Sequence, residues 1–262
     1  LQYNKIIIDG NSKIINYYLL CKRKKDSCMI RVKIKELIEI LNAEYSDNCN
    51  SDIYIKGISI DSRSVFADNL FIPIKGLTTN GHKYVQDAIN KGAAASLWNT
   101  DEPNPPSGVT VIFVEDTVAA LQKLAYYYRN RLKTKIIGIT GSNGKTSTKD
   151  ITAGILSQKY KTQKTMGNYN TEIGVPFTLL SLDEDCEAAV IEMGMERFGE
   201  IDFLTRLVKP DIGILTSVGL VHIDNFNSIE EIAQAKLEIV KGIRSNGLFI
   251  YYGDDKRSEE HT

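Results

Sequence analysis

Long apolar runs are missing from this 262-residue chain, none approaching the roughly 18 residues a membrane helix needs, so no helical span is read from it. Cysteine is scarce. The four present (Cys21, Cys28, Cys49, Cys186) make no CxxC pair and no zinc-site spacing, which excludes a disulfide scaffold and fits free thiols in a reducing cytosol. An excess of charge is missing too: 32 basic residues stand against 33 acidic ones, a net of -1. Residues 1–28 hold six of the basic and two of the acidic residues, leaving 26 basic and 31 acidic elsewhere, a net of -5 for that remainder. A body that acidic has no surplus of cations to displace counterions from nucleic-acid phosphates. Lys22-Arg23-Lys24-Lys25 reads as a solvated run. No repeat or low-complexity tract occurs.

What is present is ordinary globular material, 42% hydrophobic and 25% charged, long enough at roughly 150 residues per domain for one or two domains. Residues 14–20 are too short and polar for a secretory signal, and the basic cluster follows rather than precedes them. Met29 opens a helical pattern (Ile34, Leu37, Ile38, Leu41) and reads as the biological start, with 1–28 an upstream, non-native or disordered extension. Residues 53–114 predict strands at 53–60, 70–74, 94–98 and 109–114 and a helix at 82–91 closed by Gly92; a proline-rich loop covers 101–108. A helix at 117–131 follows, faced by Val118, Leu121, Leu124, Ala125 and Tyr128.

After Lys133 buried strands (135–139, 188–191, 211–215, 248–251) alternate with helices (145–158, 199–207, 228–243), which predicts βαβ units and a parallel sheet. The fold class expected is α/β: a small mixed α/β domain over 29–132, then a P-loop-type parallel-sheet ATPase domain over 133–262, incomplete at its end.

The sharpest local signal is Ile136-Ile137-Gly138-Ile139-Thr140-Gly141-Ser142-Asn143-Gly144-Lys145-Thr146-Ser147. A buried strand runs into a glycine-rich turn and then a helix, where Gly141 to Ser147 can offer backbone N–H groups and a positive helix end to phosphates. Lys145 can reach the β and γ phosphates and the Thr146 hydroxyl can sit on magnesium, so the ligands predicted are ATP and Mg2+. The usual first glycine falls one residue early, at Gly138, where Ile139 occupies the expected position. A plain strand–helix turn would use the same glycines.

That departure resembles the phosphate loop of Mur ligases and folylpolyglutamate synthases. Gly167-Asn168-Tyr169-Asn170-Thr171-Glu172-Ile173-Gly174-Val175-Pro176 is similar to a segment of the Mur ligases, as are Glu192-Met193-Gly194, Gly199-Glu200-Ile201 and 222–239. In the first half, Asp61-Ser62-Arg63, 69–76, Asn80-Gly81-His82 and 92–95 resemble that family's UDP-sugar-binding domain. Asn80 stands where the family usually has Asp, and Leu77 where it often has Glu.

The resemblance implies an ATP-dependent ligase that adds D-alanyl-D-alanine to UDP-N-acetylmuramoyl-tripeptide through an acyl phosphate, a cytoplasmic monomer of peptidoglycan precursor synthesis. It further implies a third, C-terminal domain that closes over ATP and has no counterpart before Thr262, so the chain by itself is expected to be inactive. Alternatives are the ligase adding the third amino acid, a folylpolyglutamate synthase, which the Asp-Ser-Arg domain disfavours, or a non-catalytic nucleotide-binding fragment.

Strand-end position alone leaves Glu192 balanced between a solvated carboxylate and a magnesium ligand; the resemblance makes it a ligand. It makes His222, otherwise an isolated His, a second metal-site ligand. Lys236 reads by itself as a solvated helical lysine, whereas relatives carbamylate the matching lysine. The resemblance also puts Ser62 and Arg63, on a turn that could equally be structural, beside the uridine diphosphate. It sets Asn170 and Thr171 toward the sugar-peptide or the γ-phosphate.

Overall fold

A computed structural model describes residues 30–47, 49–76, 78–219 and 225–252. The extension 1–28, Met29, Leu77 and His222 lie outside them.

The first half is built on a five-stranded sheet. Its strands are β2 (Glu44–Tyr45), β4 (Ile58–Ser59), β5 (Leu70–Phe71), β6 (Ala95–Asn99) and β7 (Thr110–Val114), in the order β2-β7-β6-β5-β4. All neighbours are parallel except β2 with β7, which makes the sheet mixed. Helix α1 (Ile34–Leu41) follows the short strand β1 (Arg31–Lys33). Where the sequence predicts one strand at 53–60, there are two, in different sheets. β3 (Tyr54–Lys56) pairs antiparallel with β1, and Gly57, at φ +82°, turns the chain into β4. The predicted helix at 82–91 begins as a 3-10 turn, Gly81–Tyr84, before α2 (Val85–Asn90). At its start the backbone runs so close to Ile74 that only glycine fits: a Cβ at Gly81 would lie 2.6 Å from the Ile74 nitrogen.

The second half is an all-parallel sheet of β8 (Lys135–Thr140), β9 (Thr162–Lys164), β10 (Ala188–Glu192), β11 (Ile212–Leu215) and β12 (Leu248–Tyr251), in the order β12-β11-β8-β10-β9. Its helices are α4 (Lys145–Leu156), α5 (Gly174–Leu180), α6 (Glu200–Val208) and α7 (Ile229–Leu237). The predicted helix at 228–243 tightens to 3-10 over Glu238–Gly242. There the backbone runs against α6, and a Cβ on Gly242 would meet the Thr205 carbonyl at 2.4 Å.

Helix α3 (Thr117–Arg131) lies between the two sheets. Its buried Leu121, Leu124, Ala125 and Tyr128 share one core with Leu97 and Ile112 on one side and with Val175, Leu179 and Leu204 on the other. Alternate strand residues point the other way in each sheet: Phe71, Trp98 and Val111 pack on α2, and Ile137, Ile139 and Val190 pack near Ala153 of α4. Arg129, fully buried, fastens the arrangement by donating to the carbonyls of Val208 (2.6 Å), Lys209 (3.0 Å) and Leu132 (3.4 Å).

Candidate active site

The loop after β8 sits at the centre of the parallel sheet, where β8 has β10 on one side and β11 on the other. The C-terminal ends of such strands are where open α/β sheets hold ligands. Gly141 has φ +146°, and a Cβ there would lie 2.0 Å from Thr216 Oγ1, so both backbone and space demand glycine. Gly144, at φ +80°, turns the chain into α4. The end of β11 braces the loop from behind. The Ser142 N–H donates to the Ser217 carbonyl (2.8 Å), the Asn143 N–H donates to Ser217 Oγ (3.0 Å), and Thr216 Oγ1 donates to the Asn143 carbonyl (2.6 Å). Ser142 Oγ donates to the Gly219 carbonyl at 2.9 Å. First-turn N–H groups of a helix have no partner within it, so those of Lys145, Thr146 and Ser147 are donors a bound anion can use. Lys145 Nζ donates to the carbonyls of Gly141 (2.6 Å) and Ser142 (3.2 Å), and burial lowers its pKa.

Glu192 ends β10 opposite Ile139, beside the loop. It is 3% exposed, so it is no solvated strand-end carboxylate. Three side chains orient it. Thr146 Oγ1 donates to Oε2 (3.1 Å), Asn170 Nδ2 donates to Oε1 (3.0 Å), and Lys149 Nζ stands 3.4 Å from Oε2. Its N–H donates to Thr165 Oγ1 at 2.9 Å, which fixes the backbone beneath the carboxylate.

A cleft of about 920 Å³ opens from this point, lined by Lys145, Asn170, Thr171, Gly194, Arg197 and Lys236 among others. Lys236, expected on its surroundings in sequence to be solvated, is 2% exposed. Its burial, with the charge of Lys145 added, lowers its pKa to about 8. Among the described residues no carboxylate pairs with it.

The comparisons with known proteins agree with one another. The family model for the Mur ligase middle domain matches residues 139–262, and that for the Mur ligase family, catalytic domain, matches 54–129. A Bacillus subtilis protein named UDP-N-acetylmuramoyl-tripeptide--D-alanyl-D-alanine ligase is 44% identical over 227 residues, which are 87% of this chain and 50% of that protein. The chain belongs to the Mur ligase family. The Escherichia coli protein of the same name is 35% identical to this Mur ligase over 231 residues, 87% of the chain and 49% of the relative. The chain thus spans about half the length of the curated relatives it matches. Among solved structures, MurF from Acinetobacter baumannii superposes with a TM-score of 0.80 at 29% identity, covering 89% of this chain and 51% of that one. MurF from Thermotoga maritima, solved in complex with ADP, gives 0.70 at 32% identity, covering 78% and 47%.

Within this Mur ligase the sites expected from sequence fall into two groups. Lys145, Asn170, Thr171 and Lys236 line the cleft, and Glu192, bonded to Asn170 and Thr146, is tied to that lining. Ser62 and Arg63 do not line it; they lie on a 3-10 turn after β4, with Ser62 buried and Arg63 exposed. Arg63 holds Asp61 in a fork, Nη2 to Oδ2 at 2.7 Å and Nε to Oδ1 at 3.0 Å, which raises the guanidinium pKa, with smaller effects from Tyr169 and Tyr84. The Ser62 carbonyl accepts from Lys91 Nζ at 2.8 Å. His222 falls outside the described residues.

Sequence reasoning missed Lys149, Thr165, Thr216 and Ser217. Lys149 had a signal: it lies three residues after Thr146 and four after Lys145, so on a helix it shares their face. Thr216-Ser217 follow a predicted strand that must neighbour the loop strand in a parallel sheet. Thr165 carried no such mark.

Proposed function

We propose that this Mur ligase works in ATP-dependent addition of D-alanyl-D-alanine to UDP-N-acetylmuramoyl-tripeptide, as a cytoplasmic monomer in peptidoglycan precursor synthesis. Residues 29–132 bind the UDP-sugar through Ser62 and Arg63, and 133–262 bind ATP on Gly141 to Ser147. The observation that carries the reading is the meeting of Glu192 with Thr146 and Asn170 beside a glycine-framed phosphate loop, with Asn170, Lys145 and Lys236 lining one cleft. The printed names of the relatives at 44% and 35% identity support the choice of substrates.

A carboxylate is a poor electrophile and must be activated. Its oxygen attacks the γ-phosphorus of ATP and ADP leaves. The amine of D-alanyl-D-alanine then attacks the acyl carbon, and phosphate and a proton leave as the amide forms. The protein's share is placement and neutralisation of charge. The helix N-terminus and Lys145 hold the β and γ phosphates, while Asn170 and Thr171 face the γ-phosphate end of the cleft.

The donor set beside the loop fits magnesium, a hard cation that takes carboxylate and hydroxyl oxygens and keeps several waters. Thr146 Oγ1 and Glu192 would hold it, with His222 a further member of the site. Bound there, it would offset charge on the transferring phosphoryl group. Lys236, with a pKa near 8, presents a substantial fraction of neutral amine at mildly alkaline pH. Such an amine can add carbon dioxide, releasing a proton and becoming a carbamate anion.

Calorimetric titration of UDP-N-acetylmuramoyl-tripeptide and of the dipeptide precursor into the chain tests the reading. Tighter tripeptide binding is expected. Preference for the dipeptide would move the assignment to the ligase that adds the third amino acid. A folded chain that binds neither sugar-peptide nor ADP would overturn it.

A further inference from the structure

The second lysine of the phosphate helix has no role in the reading above. Lys149 is buried, its side chain 3% exposed, and its ammonium lies 3.4 Å from Glu192 Oε2 and 3.7 Å from Asp150 Oδ1. Asp150 is itself held by Lys164 at 2.8 Å, at the end of β9 and just before the segment that carries Asn170. Burying a charged pair costs desolvation that the mutual attraction does not always recover, and an apolar pair of the same volume would serve packing as well. Packing alone is therefore a weak reason for a lysine here. Thr146 and Asn170 each give Glu192 one neutral hydrogen bond, which orients the carboxylate but does not balance its charge. Lys149 is the ammonium in ion-pair contact with it, while Lys145 acts on the same carboxylate from farther off.

We propose that Lys149 is a positioning residue for the cation site: its ammonium, 3.4 Å from Oε2, keeps the Glu192 carboxylate turned toward Thr146, so that the cation finds a preformed pair of oxygens. The proposal rests on the reading of Glu192 and Thr146 as the oxygens that meet magnesium. Lys149 does not touch the nucleotide. Its loss acts only through Glu192, and so only when the cation is present.

The test is calorimetric binding of ADP to the chain, with magnesium and with a chelator. Lys149→Met is expected to weaken magnesium–ADP by about tenfold or more, the usual size of losing a partner behind a metal ligand, while chelated ADP binds within about twofold of wild type. Lys149→Arg, which keeps the charge, recovers most of the loss. In a Glu192→Gln background, adding Lys149→Met changes nothing further, because the two residues act as one unit. Full magnesium–ADP affinity in Lys149→Met would overturn the proposal. So would an equal loss with and without the cation, or an undiminished effect in the Glu192→Gln background. Should Lys149→Met fail to fold, the uncharged double variant against Glu192→Gln decides: equal affinities support the proposal and a further loss overturns it. A wild-type chain that binds no ADP would instead overturn the nucleotide site itself, whereas ADP binding indifferent to magnesium in the wild type would overturn the cation site and the role of Lys149 with it.

Discussion

The two sheets solve a similar geometric problem with different chemistry. Each ends its parallel strands in loops that gather polar side chains. In the second sheet those side chains are charged and buried: Glu192, Lys149 and Lys236 are each at most 3% exposed. In the first, what is buried is neutral and what is charged is exposed. His82 and Asn99 lie inside, while Asp61, Arg63, Lys75 and Asp101 pair at the surface. Charges taken out of water interact strongly and rigidly, which suits a phosphoryl group whose own charge must be matched at fixed points. Exposed forks such as Arg63 on Asp61 can exchange one anion for another at little cost, which suits capture of a diphosphate.

The sharpest way to break this contrast is Gly141→Ala. The methyl would lie 2.0 Å from Thr216 Oγ1 at a φ of +146°, so the loop must move, and ADP affinity should fall by about a hundredfold in calorimetry. Next is the pH dependence of Lys236. Its folded pKa, about 8 against an ordinary 10.5, means that the unfolded chain binds more protons between those values. Stability should therefore rise as pH climbs through 8, by about 3 kcal/mol in all. Lys236→Met should flatten that rise in denaturant melts and leave the chain no less stable at neutral pH.

A smaller effect of the same sign belongs to the first sheet. Burial lowers the pKa of His82 below 6.5, and its Nε2 accepts from the Asn99 N–H at 3.3 Å, a bond the protonated ring cannot make. Its contribution is complete above 6.5 and is lost as pH falls through the lowered folded value; a His82→Gln melt should lack that loss. The smallest change in stability is expected for Arg63→Ala, because the fork is exposed and its ion pair is screened by solvent. Affinity for the UDP-sugar should nevertheless drop by about tenfold if the guanidinium meets the diphosphate.

Much of this contrast is legible in the sequence. The helix at Thr117–Arg131 lies where periodicity puts it, since Leu121, Leu124, Ala125 and Tyr128 make one buried face, and the strand Leu248–Tyr251 is a short apolar run set between Gly247 and Gly253 in sequence. The strand Thr162–Lys164 is not legible, because its residues, Thr-Gln-Lys, are polar and half-buried at a sheet edge. Helix Gly174–Leu180 was hidden for another reason: Gly174 must pack against the Tyr169 backbone, and Pro176 sits in its first turn. At the site, the loop residues announce themselves through glycine spacing. The burial of Lys236 and the pairing of Lys149 with Glu192 depend on the stacking of distant helices and strands, which no local pattern encodes.

Helix Thr117–Arg131 has one further consequence. Because its apolar side belongs to both sheets at once, the residues following Leu132 do not own all of their core. Expressed by themselves, they would leave Val175, Leu179 and Leu204 without their cover, and the carbonyls of Val208 and Lys209 without the buried guanidinium that satisfies them. Heat should then melt the two halves of the intact chain in one transition, and the severed second half should be sticky rather than merely weaker.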